Sequence, residues 1–307
     1  VLHPDLLERG AFFQRFQREA QAGMRVDHPN VVRTYECGLH VVGGTAYCIL
    51  VMEYVEGKTL RALLEDLGTV PEALVREIGR QAAEGLSAIH EAGIVHRDVK
   101  PENVLITDDH RVRVMDLGVA KVEEAGAALT REGQFAGSLL YAAPEQLNRG
   151  RVGPATDLYA LGMVLHELST GKNPFRAEDA AGVVRAQLEE RPPSVTEVDP
   201  DLSPFLAEVI GTLLAKDPSK RFASASDLAK VLEEAERSAW WGEREGGRLR
   251  ERAAVHLRAH FAEQCAALGT QGLTDAIDHG LARATVHGFR AESDLLQYLN
   301  LCFIFGR

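Results

Sequence analysis

Two aspartates, a carboxamide and a lysine crowd into two short strings, His96-Arg97-Asp98-Val99-Lys100-Pro101-Glu102-Asn103 and Asp116-Leu117-Gly118. Asp116 and Asn103 carry hard oxygen atoms of the kind magnesium takes. Asp98 is a proton acceptor for an attacking hydroxyl, and Lys100 a cation for a group that gains negative charge in transfer. Phosphoryl transfer needs little more than these parts: metal, positioned nucleophile and neutralising charge. A lone loop Asp is ordinarily a solvated surface residue. The whole string followed by a second carboxylate is a different signal.

These residues need rigid supports, and the chain supplies them. Pro71 opens a long helix whose Leu74, Ile78, Ala82, Leu86 and Ile89 step by three or four, so one face is buried; Gly93 ends it. Asn103–Ile106, Asp108-Asp109 and Arg111–Met115 read as strand, turn, strand. The first string lies in the loop between helix and hairpin, and the second ends the hairpin. Upstream, Phe13, Phe16, Ala20 and Met24 recur at helical spacing across roughly 8–26, and His28-Pro29-Asn30 stops that helix. Two β-rich stretches follow, Val31–Cys37 and Ala46–Glu53, with Gly43-Gly44 as the turn. A short helix begins near Thr59. Val119 to Ala143 is a long aperiodic loop, a type usually kept for function. Asp157 to Leu168 is apolar nearly all round, as suits a helix at the centre of a lobe.

Composition narrows the field. The 307 residues are 45% hydrophobic and 26% charged, an ordinary globular balance. A net charge of −11 argues against nucleic acid as a partner and against anionic membrane. No apolar run is long enough to be a membrane segment. Cys37, Cys48, Cys265 and Cys302 show no metal-pair spacing, and their scatter suits a reducing, cytoplasmic setting.

HRDVKPENVL, MDLG and YAAPEQ resemble the catalytic loop, metal-binding loop and activation-segment end of the protein kinase superfamily. Lys100 two places after Asp98 is similar to the serine/threonine kinases. PEQLNRG and DPSKRFASASDL resemble the bacterial Pkn-type branch. The resemblance runs from residue 1 to about 236. It implies an α+β bilobal fold, with a small lobe over 1–54 and a helical large lobe over 55–236. It implies ATP with Mg²⁺ or Mn²⁺ as cofactor, and protein hydroxyls as substrates. Asp98 would then be the catalytic base, Lys100 the phosphate-contacting lysine, and Asn103 and Asp116 the metal ligands. Glu19 falls where the family has its helix glutamate. Met52 matches the gatekeeper, Glu53 to Val55 the hinge that receives adenine, and Leu105 the residue beneath the ring. Asp157 resembles the buried aspartate that anchors the catalytic loop, and Glu145 with Arg221 the ion pair joining activation segment and large lobe. Arg97 implies an activation loop ordered by phosphate, with Thr130 as the phosphosite and self-association for autophosphorylation. Ser138 stands where the family usually has Thr.

Departures from the family are also plain. No Gly-rich loop and no strand lysine precede Glu19, and Val1-Leu2 match the residues just after that lysine. The reading is therefore an N-terminally truncated kinase, poorly active alone. A degenerate kinase that only binds partners is the alternative, and a small-molecule phosphotransferase a third. Residues 237–247 read as a linker, and 248–307 as a small helical module with stretches at 248–268, 272–288 and 291–305. His256 and His260 share a helix face there, as ordinary helical histidines.

Overall fold

The computed structural model describes residues 20–21, 23–43, 45–116, 135–177, 179–237, 248–286, 296, 298–300 and 302–303. Glu19, Leu117 and Thr130 lie outside the described residues, as do most of the expected first helix and the expected linker.

Strands β1 (Thr34–Val42) and β2 (Thr45–Met52) form an antiparallel pair about Gly43, whose φ of 60° suits a residue without Cβ. The first strand thus begins later and runs further than the pattern at Val31–Cys37 suggested, because Gly38 and His40 interrupt the alternation without ending the ladder. A bulge between Thr34 and Glu36 shifts the register. Across this pair Cys37 and Cys48 come side by side, with Sγ atoms 3.9 Å apart, a proximity their sequence spacing hides. Burial and the neighbouring Cys48 push the Cys37 thiol up to about 11.

The sequence missed the two-residue strand β3 (Lys58–Thr59), which joins β4 (Val104–Ile106) and β5 (Val112–Val114) in a second antiparallel sheet. Thr59 also caps α1 (Leu60–Leu67), its hydroxyl accepting from the Ala62 N–H. The long helix α2 (Glu72–Glu91) begins after Pro71, as expected. Then come α3 (Phe135–Leu139), inside the expected loop, and α4 (Pro144–Leu147). Helix α5 (Pro154–Thr170) has every residue from Thr156 to Ser169 buried and stops at Gly171 in the left-handed region. It is followed by α6 (Ala180–Glu189), α7 (Val195–Val198), α8 (Pro204–Leu213) and α9 (Ala225–Arg237).

One core joins most of these elements, with no described residue of β1 or β2 in it. Helix α2 packs on α5, α9 and β5, and α5 packs on α8. Close approach depends on two glycines in α2. A Cβ at Gly79 would stand 3.1 Å from Leu165, and one at Gly85 only 2.6 Å from the Asn30 carbonyl oxygen. Asn30 and Gln81 tie the upstream chain to the hairpin. The Asn30 amide donates to Gln81 and to the Val112 carbonyl, and Gln81 accepts from the Val112 N–H.

Toward the C-terminus, α10 (Arg248–His260) ends earlier than the expected 268, and Gly269 instead marks a kink inside α11 (Ala262–Val286). Ala253, Leu257, Cys265, Leu273, Ile277, Leu299 and Phe303 make a small second core. Tyr298 and Cys302 continue into the main core, where the Tyr298 ring lies 5.0 Å from that of His110. His256 and His260 stack on one face, and His256 also contacts Asn300 at 3.0 Å. Among the described residues no helix is long and apolar enough to cross a membrane.

Candidate active site

The loop between α2 and β4 is held from below by one carboxylate. Asp157, 0% exposed in the first turn of α5, accepts from the His96 N–H at 2.8 Å and the Arg97 N–H at 2.7 Å. His90, from the last turn of α2, meets the same carboxylate at 2.8 Å. A carboxylate so deep in the lobe needs these partners, and the loop backbone needs it in return. The buried His96 ring reaches the Met115 carbonyl at 2.9 Å, and the Met115 N–H donates to the Asn103 carbonyl at 3.0 Å. The two motif strings are therefore stitched together by their backbones.

On this base sit the reactive side chains. The Asn103 amide donates to the Asp98 carboxylate at 3.0 Å and to the Asp98 carbonyl at 2.8 Å. With its NH₂ so occupied, the Asn103 Oδ1 is the atom left for a cation. Lys100 Nζ stands 3.1 Å from the Asp98 carboxylate and donates to Ser138 Oγ at 3.2 Å. The structure thus brings Asp98, Lys100, Asn103 and Ser138 into one cluster. Arg97 and Asp116 both adopt φ near 60°, at 65° and 58°. Left-handed backbone at non-glycine residues costs energy and gathers at functional sites.

Sequence reasoning missed a clamp at the edge of this site. Arg61 of α1 donates to Glu102 at 3.0 Å, to Glu167 of α5 at 3.1 Å and to the Tyr141 hydroxyl at 2.5 Å, and Tyr141 in turn donates to Glu167. Burial opposes the Arg61 charge, but its hydrogen bonds to Glu167 and Glu102 prevail and hold it firmly protonated. Burial and the Glu167 charge push the Tyr141 phenol far up, so it stays a neutral donor. Gln146 adds a bond to the Arg97 carbonyl at 3.1 Å. Nothing in the spacing of these residues announces a cluster.

Glu145 and Arg221 form a two-pronged pair, at 2.7 and 2.9 Å, with both side chains buried. Between β2 and β3, the Glu53 N–H donates to the Arg33 carbonyl at 2.8 Å, while its carboxylate takes the Arg33 N–H and Arg113. Val55 is half-buried and Met52 exposed, so Met52 is not part of the core. Leu105 is half-buried on the opposite face of β4 from the core residues Val104 and Ile106.

Comparison with known proteins follows the same outline. Residues 7–234 match the family model described as protein kinase domain. The serine/threonine-protein kinase PknA of Corynebacterium glutamicum is 39% identical over 233 residues, 76% of this chain and 49% of the relative. The probable serine/threonine-protein kinase PknB of the same species is 36% identical over 266 residues, 85% of this chain and 39% of the relative. PknB of Mycobacterium leprae is 34% identical over 232 residues, 76% of this chain and 37% of the relative. The chain spans about half the length, or less, of these relatives. Its catalytic-loop cluster and its match over most of its length place the chain in the protein kinase domain family, beside bacterial serine/threonine-protein kinases.

Proposed function

We propose that the chain carries the catalytic machinery of a serine/threonine protein kinase, which moves the terminal phosphoryl group of ATP to protein hydroxyls. The observation that carries this reading is the joint fixation of Asp98, Lys100 and Asn103 on a loop locked to Asp157. In this reading ATP with Mg²⁺ or Mn²⁺ supplies the phosphoryl group and the charge neutralisation, held by Asn103 Oδ1 and Asp116. Asp98 orients the substrate hydroxyl and accepts its proton. Lys100 balances charge on the oxygens in transfer, and its bond to Ser138 ties that cation to the activation segment. The Glu53 to Val55 backbone with Leu105 and Met52 would receive adenine, and Glu19 would support the phosphate side. Thr130 is the proposed autophosphorylation site, with Arg97 as its phosphate partner across or within copies. An ATP-dependent role suits the cytoplasm.

The test is Mg²⁺–ATP autophosphorylation of the gene's full reading frame beside this chain alone. Transfer that Asp116→Ala abolishes supports the reading. Absence of transfer from both would turn the reading toward a binding module.

A further inference from the structure

A cavity of about 780 Å³ opens between the end of α5, the Arg191–Ser194 segment, α7, α8 and the Lys216–Lys220 turn. That volume is of the size that takes small molecules rather than protein surfaces. None of the catalytic residues lines it. Its wall includes the buried Val195, Ile210 and Leu214, while Pro193 is pinned by a 3.1 Å bond from its carbonyl to the buried His166 ring. Burial pulls the His166 pKa down, so the ring acts here as a neutral donor. The space is thus largely preformed.

Charge in the wall is unbalanced. Arg191, Lys216 and Lys220 line it together with Glu197 and Asp217. Both carboxylates are turned onto their own loops. Glu197 accepts from the Ser194 N–H at 2.9 Å, and Asp217 accepts from the Ser219 N–H and hydroxyl at 2.9 and 2.7 Å. Among the described residues none of the three cations has an ion-pair partner. Lys216 is the telling one. Half-buried, it donates to the Gln187 carbonyl at 2.7 Å and the Tyr159 hydroxyl at 3.0 Å, and it sits 4.3 Å from the centre of the Phe175 ring. Those neutral partners hold the ammonium in place but supply no counter-charge. Burial, then the nearby Arg221, brings its amine down to about 8, against a smaller opposing pull from the Glu190 carboxylate.

Gly211 lies at an exposed position of α8 on the cavity wall, where a Cβ would meet nothing within 4 Å, so a larger side chain can be placed there without a clash.

We propose that this cavity binds a small anionic amphiphile. The apolar body lies against Val195, Ile210 and Leu214, and a carboxylate or phosphate head meets Arg191 and Lys220, in the positive field of Lys216. The test is calorimetric titration of the full chain with decanoate, decyl phosphate and uncharged decanol, all below micelle formation. One saturable site for at least one of the two anions is expected, with decanol weaker by roughly tenfold or more. The tighter anion identifies the head group. Gly211→Leu, which fills the space without a clash, and the Arg191→Ala/Lys220→Ala pair should each weaken that anion by a similar factor. Absence of saturable binding, equal binding of decanol, or affinity unchanged in Gly211→Leu would overturn the proposal. The readout does not depend on phosphoryl transfer, so the outcome is separate from that of the kinase reading.

Discussion

Consider the removal of Arg221 from its pair with Glu145. The guanidinium makes five hydrogen bonds: two to Glu145, and one each to the carbonyls of Ala215, Ala155 and Lys216. Its side chain is 0% exposed. In Arg221→Met the Glu145 carboxylate keeps only the Thr156 hydroxyl and local backbone as donors, and three carbonyls lose their partner. Stranding one member of a buried pair costs about 3–5 kcal/mol. In a domain of this size that lowers Tm by roughly 6–20 °C. Glu145→Gln should be milder, about 1–3 kcal/mol, because the cation keeps its three carbonyls and the amide oxygen still accepts. Replacing both residues by Leu and Met should cost less than the sum of the two single losses. A pH signature accompanies this. Burial alone would raise the Glu145 pKa, but the Arg221 hydrogen bonds overcome it and leave the carboxyl below the usual glutamate range. A folded value below the unfolded one means the contribution is complete above the unfolded value. It is lost as pH falls through the depressed folded one. Urea unfolding followed by circular dichroism, at neutral pH and through the acid range, reads both effects. An Arg221→Met variant within 1 kcal/mol of the parent, or a Glu145→Gln variant as damaged as Arg221→Met, would refute the reasoning.

Two further outcomes follow from the geometry. Arg61→Met should raise the KM for a protein substrate roughly tenfold while leaving the KM for ATP within about twofold. The clamp it breaks joins Glu102, Tyr141 and Glu167; steady-state kinetics with each substrate varied would show the split. Gly85→Ala should destabilise by roughly 1–3 kcal/mol despite better helix propensity, because its Cβ would press on the Asn30 carbonyl; thermal melts would measure it.

What the sequence shows and what it hides divide along contact distance. The α5 segment announces its burial because its apolar residues surround the helix, and the structure buries it from Thr156 to Ser169. Pro71, Gly93 and the Asp108-Asp109 turn mark the boundaries that position the catalytic loop, since each acts through local backbone preference. Asp98, Lys100 and Asn103 are legible because their spacing is local too. Arg61 is not, because its three partners lie 41, 80 and 106 residues away, in three separate segments. The Asp157–His90 contact and the Cys37–Cys48 proximity were hidden for the same reason. The expected break after residue 268 is present as non-helical backbone at Gly269, with φ 65°, whereas the earlier separation of α10 from α11 at Phe261 was not legible.

The most direct test of the central claim is phosphoryl transfer from ATP to a protein substrate by the full gene product and its Asp98→Asn variant, matched in thermal stability. The account predicts Mg²⁺-dependent transfer to serine or threonine that falls by roughly 10²–10⁴-fold in Asp98→Asn. Transfer undiminished by that substitution would contradict it.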